Sequence, residues 1–339
     1  MKRASLILSL AATVLTFVAG GCGSSSTSSG SSTRSAANSN SVPAPALNEL
    51  AQAQAPRASQ FPATNGRTLQ QLASKMTGSL QLGAATGTFT PGTRRFAFGL
   101  TTSEGAFVYA PTALYIATKP SARAQGPFLA AADPMVVAPR YRSEQNAGPG
   151  GIQAIYAANV PLPHKGTFTV LSVTRTPRGL VGAPGEIAVA ASSPIPDVGQ
   201  RPPAVATDTL QSVHGNRALL TTRTPPEQMQ SAPFNALLGK QPVALLISTP
   251  QLCMSKVCGP VTDVAASLQK QFGSRITFIH QEVYVDNQPS RGLRPTLQAF
   301  HLQTEPWLFT INRQGKIAAR LEGSFGVNAF TQALQAALR

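Results

Sequence analysis

Cysteine is scarce in this 339-residue chain, with three in all, at positions 22, 253 and 258. Two of them lie five positions apart in TPQLCMSKVCGP (249–260), directly after a run of aliphatic residues. Acidic residues are scarce too: 13 Asp and Glu face 28 Lys and Arg, a formal charge of +15. Such a balance raises nucleic acid as a partner, but the arrangement that binding needs is missing. The cations are scattered, Arg94-Arg95 is the one adjacent basic pair beyond the N-terminus, and no basic helical stripe is interleaved with aromatics. No nucleic-acid partner is therefore expected. Attraction to anionic lipid headgroups or acidic wall polymers fits the charge better, as does a soluble surface that is simply rich in arginine. A bilayer-spanning run is also lacking, because the apolar stretch from Ala4 to Ala19 is too short.

That stretch follows Lys2 and Arg3 and ends in Ala19-Gly20-Gly21-Cys22. The layout is that of an export signal. It resembles the lipobox of bacterial lipoproteins, with Ala19 where leucine is usual; the alternative is an ordinary cleaved signal with an incidental cysteine. The resemblance implies a signal peptide over 1–21, lipidation at Cys22, and a protein held on the extracytoplasmic face of the cell membrane. The Ser/Gly-rich CGSSSTSSGSSTRSAANSNS that follows suits a flexible tether. Few large apolar residues occur before about residue 80, so the tether is expected to run over 22–84, interrupted at most by a short helix at 68–76. With Cys22 lipidated, two thiols remain in an oxidising compartment, which favours a Cys253–Cys258 disulfide.

From residue 85 to 192, short β-rich runs alternate with Gly/Pro turns: 94–102, 107–118, 151–162, 166–175 and 186–192. Their spacing predicts an antiparallel, immunoglobulin-like β-sandwich without a catalytic constellation. The Pro-rich segment 192–210 reads as a linker. Beyond it the pattern is βαβαββα. Its parts are a buried strand at 242–249, a helix from Pro260 with Gly259 at its N-cap, a strand at 275–286 and a short helix at 294–302. A hairpin turning at Gln314-Gly315 and an amphipathic helix at 328–338 follow.

This order looks like the thioredoxin fold, in the branch related to peroxiredoxins and membrane-anchored extracytoplasmic thiol oxidoreductases, over roughly residues 198–339. Asp197-Val198-Gly199-Gln200-Arg201-Pro202-Pro203 resembles that branch's lead-in segment. Cys258-Gly259-Pro260 resembles the CGP of the thioredoxin active site, and Glu305-Pro306-Trp307 stands where the family has its cis-proline. The implied fold class is thus an all-β domain followed by an α/β thioredoxin fold at 193–339. The resemblance further implies thiol–disulfide exchange through Cys253 and Cys258 with a protein partner and no cofactor. Pro306 would be cis beside the pair, and Pro306 and Glu305 would dock substrate.

The chain departs from the family in having C-x-x-x-x-C in place of C-x-x-C. Counting from the strand makes Cys253 the nucleophile, whereas matching CGP makes it Cys258. Five helical residues rise about 7.5 Å, too far for a bridge, but a helix starting at Gly259-Pro260 leaves both cysteines in the preceding loop. Cys258 would then lie at the positive end of the helix dipole and have a lowered pKa, with Glu305 opposing that effect. Three other readings stand beside this one. A structural disulfide on a binding scaffold is the first. Peroxidase chemistry lacks its Pro-x-x-x-Thr-x-x-Cys frame, because Pro250 precedes Cys253 by three positions and Gln251 takes the proline position before Cys258. Copper handling would add His280 or His301 to the cysteines, as thiolates suit Cu(I).

Overall fold

The computed structural model describes residues 44–146 and 151–339. Helices α1 (Ala44–Gln54) and α2 (Leu69–Ala73) come first. Seven strands follow: β1 (Gln81–Ala84), β2 (Gly92–Thr101), β3 (Thr112–Ala117), β4 (Gln125–Pro134), β5 (Ala154–Leu162), β6 (Gly166–Thr176) and β7 (Gly179–Val189). They form one antiparallel sheet in the order β1-β2-β5-β4-β3-β6-β7. Its two ends come together through isolated parallel bridges, Ser79 with Gly182 and Phe89 with Val189, so the sheet curls into a nearly closed barrel. Alternate residues of each strand point inward, as the two-residue period of a strand requires. Phe96, Phe98, Leu114, Ile116, Tyr156, Phe168 and Val170 fill the interior, joined by Leu50 and Ala53 of α1.

The remaining chain carries α3 (Phe234–Leu237), β8 (Val243–Ile247), α4 (Cys258–Phe272), β9 (Thr277–Gln281), α5 (Pro295–Ala299), β10 (Trp307–Ile311), β11 (Ile317–Glu322) and α6 (Val327–Ala337). The four strands form a second sheet in the order β11-β10-β8-β9, with β8 and β9 parallel and the other pairs antiparallel. Its two faces are filled differently. Ala244, Leu246 and Leu308 meet Val261, Val264 and Leu268 of α4 and Phe330 and Leu334 of α6. The opposite face, with Val243, Leu245, Trp307 and Phe309, is covered by Phe234, Leu297 and Phe300 from helices of four and five residues and their loops. Among the described residues no helix is long and apolar enough to cross a membrane.

Two expectations are overturned here. The fold class, an immunoglobulin-like sandwich followed by an α/β thioredoxin fold, does not hold: the chain is mostly β, a barrel-like sheet joined to a four-stranded sheet. Inward–outward alternation is the same in a sandwich and a barrel, so the strand pattern alone could not separate them. The deciding strands, β1 and β4, are rich in Ala, Gly and Pro and carry little β-propensity. Nor is the second sheet free-standing. Ala97, Met135, Val137 and Ile155 of the barrel side share one apolar layer with α4 and α6, and the described residues fall within a single compact unit.

The second correction concerns the tether. From residue 44 onward the segment assigned to it is built into the fold. Thr68 caps α2 by accepting from the Gln71 amide, and Gln71 accepts in return from the Thr68 amide. Phe61, Leu69 and Leu72 then cover the outer face of β3 and β6 against Tyr115, Leu171 and Val173. A few well-placed apolar residues suffice where a prepared surface receives them. The 192–210 segment is likewise fastened: the Gly199 amide donates to the Ile317 carbonyl of β11, the Gln200 carbonyl accepts from the Ile317 amide, and Asp197 meets Arg94 at 3.2 Å.

Polar groups fix the junction. The buried carboxylate of Asp133 on β4 accepts from the amides of Gly326, Asn328 and Ala329 at 2.8, 2.8 and 3.0 Å, capping α6 across the interface. Gly326 is required there, since a Cβ would stand 2.2 Å from the Pro134 carbonyl oxygen. On the other helix, Asp263 of α4 pairs with Arg223 at 2.9 Å and accepts from the Ser143 amide at 3.0 Å, all buried. Replacing Asp133 by alanine strands three helix-end amides, an expected loss of about 3 kcal/mol. Urea unfolding followed by far-UV circular dichroism and by the fluorescence of Trp307, the single tryptophan, should shift together in this variant. Separate transitions for the two signals would contradict the shared core.

Candidate functional site

The last residues of β8 lead through Ser248 and Thr249 into a tight turn. The Cys253 amide donates to the Thr249 carbonyl at 3.1 Å, and the Lys256 amide to the Cys253 carbonyl at 3.2 Å. Lys256 takes a left-handed conformation at φ 58°, which turns the chain back toward its start. Helix α4 then begins at Cys258, not at Pro260. Cys258 therefore heads the helix while Cys253 folds over it, and the two free cysteines approach to 3.0 Å without a disulfide. The pair is present as a dithiol.

The two thiols differ sharply. A hydrogen bond from the Cys258 thiol holds the Cys253 pKa down to about 5, outweighing burial. The Ser255 hydroxyl, 3.2 Å from the sulfur, and the amides of Cys258 and Val257 at the helix start add to the effect. Burial pushes Cys258 well above its usual range, reinforced by the Cys253 thiolate and by Glu305. The expectation of a lowered pKa at Cys258 is thus reversed, because the helix-end amides serve the neighbouring sulfur. Position agrees: Cys253, though only 6% exposed, lines a cleft of about 500 Å³ with Gln145, Gln251 and Lys256, while Cys258 is fully buried. Between them Met254 projects into solvent, 97% exposed.

Glu305 joins the pair, its carboxylate and the two sulfurs lying within 4.8 Å of one another. Burial, then the Cys253 thiolate, raises its pKa. The Glu305–Pro306 bond is cis, and Pro306 is buried. Its carbonyl accepts from the Gly323 amide at 2.8 Å, so Thr304 and Glu305, not Pro306, line the cleft beside the cysteines. That cleft, of about 650 Å³, runs between the rim at Ser255 and Val257 and the barrel wall at Gly83, Gly99 and Phe107.

Neither histidine reaches the sulfurs. His301 is exposed, with φ 57°, just past α5. His280 is buried on β9, where Glu227 meets Nδ1 at 2.6 Å and Ser248 Oγ meets Nε2 at 2.8 Å. The two-cysteine, one-histidine set that copper handling calls for is not assembled among the described residues. Ser248 also meets Thr262 at 2.8 Å, and Thr262 donates to the Cys258 carbonyl at 2.8 Å. Burial pushes Glu227 up, but protonated His280 and hydrogen bonds from it and Thr221 hold it down to about 2. Although Ser248, His280 and Glu227 have the order of a hydrolytic triad, the serine has no exposed surface. This chain of hydrogen bonds fixes the β8–α4 connection from below.

Compared with known protein families and with curated proteins, the chain matches no family model and no curated sequence. The site has to be read from its own geometry. Cys253, Cys258, Glu305 and Pro306 had been singled out from the sequence; Cys22 lies outside the described residues. Ser255 enters the sequence reading only as the residue three positions before Cys258 in an incomplete peroxidatic frame, and Phe107 and the barrel wall do not enter it as site residues. The wall is distant from the cysteines in the chain, with Gly83 170 positions before Cys253. Alkylation of the reduced protein by iodoacetamide should rise with pH through a midpoint near the Cys253 pKa of about 5 and level off by pH 7. Peptide mapping should find the label on Cys253 alone; label on Cys258 below pH 8, or a midpoint near 9, would refute the assignment.

Proposed function

We propose that the chain is an exported, lipid-anchored protein that carries out thiol–disulfide exchange, with Cys253 attacking and Cys258 resolving. The observation that carries this reading is the division of the pair into a thiolate near pKa 5 facing a cleft and a buried thiol 3.0 Å away. Cys253 as thiolate attacks one sulfur of a partner disulfide. The partner's S–S bond breaks, its second sulfur leaves as a thiolate, and a mixed disulfide joins the partner to Cys253. With the thiolate charge gone, Cys258 loses its proton and attacks the Cys253 sulfur. The enzyme disulfide forms, the partner leaves as a second thiolate, and two electrons have passed from dithiol to partner. No cofactor enters.

Kinship with thioredoxin-like thiol oxidoreductases belongs to this proposal at the level of chemistry. It is supported by Cys258-Gly259-Pro260 heading a helix and by the nearness of Glu305 to both sulfurs. A purely structural bridge gains little from closing so short a loop, and it would not need a thiolate stabilised by hydrogen bonds. The anchor rests on Cys22 and its flanking residues; partitioning into the detergent phase should be lost in Cys22→Ser.

Incubated with a peptide disulfide, Cys258→Ser should accumulate a mixed disulfide on Cys253, visible as one added peptide mass. Cys253→Ser should accumulate none, and the wild type should pass through to the Cys253–Cys258 disulfide. If the wild type and both variants behave alike in this assay and in insulin reduction, the exchange reading fails and a structural bridge takes its place.

A further inference from the structure

The chain carries a large excess of positive charge, +15 in all, yet the cleft of about 650 Å³ beside the cysteines is lined by two carboxylates, Glu305 and Glu322, and by no Lys, Arg or His. Two other clefts of similar size among the described residues are mixed or basic at their walls, with Arg95, Arg320 and Asp133 in one and Arg217 in the other. Glu322 is held in place as an acceptor by the amides of Gly87 and Thr88, both at 3.0 Å, and by the Thr88 hydroxyl at 3.2 Å. Between the acids the walls are apolar, with Leu82, Phe107, Ile152 and Val257.

The opening exists because side chains are missing from the barrel wall. Gly83 faces open space, where an added Cβ would meet nothing within 4 Å, and its backbone is not left-handed, so a larger residue fits without strain. Gly99 stands behind Phe107 in the same wall. The volume lies in the range of ligand pockets and exceeds what a small aminothiol would fill. The cysteine rim closes one end: Ser255 and Glu305 line the cleft and also contact or neighbour the Cys253 sulfur.

We infer that this cleft binds a cationic, partly apolar peptide segment flanking the partner's reactive disulfide, with the barrel supplying the wall that selects it. The inference rests on the exchange reading above. Because the protein as a whole is strongly positive, long-range repulsion works against a cationic substrate. A preference for one is therefore a property of the cleft.

The test uses the reduced full-length protein in neutral detergent, in single turnover at low salt, with three disulfides. One is hydroxyethyl disulfide, small and neutral; the others are a peptide disulfide flanked by Arg and Leu and its counterpart with Glu in place of Arg. The Arg peptide should react about tenfold faster than the Glu peptide, and the ratio should approach one in 1 M salt. Gly83→Arg should remove or invert the preference, and Gly83→Trp should slow both peptides, each rate being taken relative to that of hydroxyethyl disulfide on the same variant. Equal rates for the two peptides on a wild type that consumes hydroxyethyl disulfide would overturn the cleft assignment, as would an Arg preference that survives Gly83→Arg. Failure to react with hydroxyethyl disulfide at all would instead overturn the exchange reading.

Discussion

The outer wall of the barrel and the second sheet are held together by one apolar layer, and the placement of every functional group follows from it. Met135, Val137 and Ile155 press on Val261, Leu268 and Phe330 through helices α4 and α6. An apolar layer of that extent resists separation, because each buried aliphatic side chain contributes about 1.5–3 kcal/mol. The layer fixes α4 at one end by the Asp263–Arg223 pair and α6 by Asp133. With both helices immobile, the turn that brings Cys253 back over Cys258 has a rigid base. The barrel wall then faces that turn across a cleft in place of open solvent.

Within that frame the chemistry is a matter of where one proton sits. Two buried sulfurs 3.0 Å apart cannot readily both ionise, so the pair holds one negative charge. The hydrogen bond from the Cys258 thiol, joined by the Ser255 hydroxyl and the helix-end amides, places it on Cys253; burial keeps the proton on Cys258. The arrangement stabilises the dithiol form against the disulfide, since only the dithiol carries the stabilised thiolate. It also assigns the order of events, because the sulfur at the cleft is the charged one. The buried line from Glu227 through His280, Ser248 and Thr262 to the Cys258 carbonyl keeps the helix start at this position without touching either sulfur.

Much of the local structure was legible in the chain. The aliphatic run before the cysteines is β8, the spacing of Val261, Val264 and Leu268 marks α4, and Gly315 turns the hairpin between β10 and β11. Strong periodicity and a turn glycine speak for themselves. What stayed hidden depends on distant partners. Strand β4, QGPFLAAADP, has weak propensity and is held by its neighbours on both sides. Residues 44–84 are polar on average, yet Phe61, Leu69 and Leu72 dock onto a surface that the sequence does not display. At the site, the cysteine pair and Glu305 could be named in advance, but their ordering could not. Two residues' difference in the helix start, Cys258 against Pro260, decides which sulfur receives the amide hydrogen bonds.

The reduction potential of the Cys253–Cys258 couple, measured by equilibration in glutathione redox buffers, tests the central claim most directly. A dithiol stabilised through a thiolate with pKa about 5 should be reversible in these buffers and titrate above about −250 mV, in the range of exchange-active pairs. A potential below about −300 mV, the region of structural disulfides, or a pair that never forms the disulfide, would contradict the account.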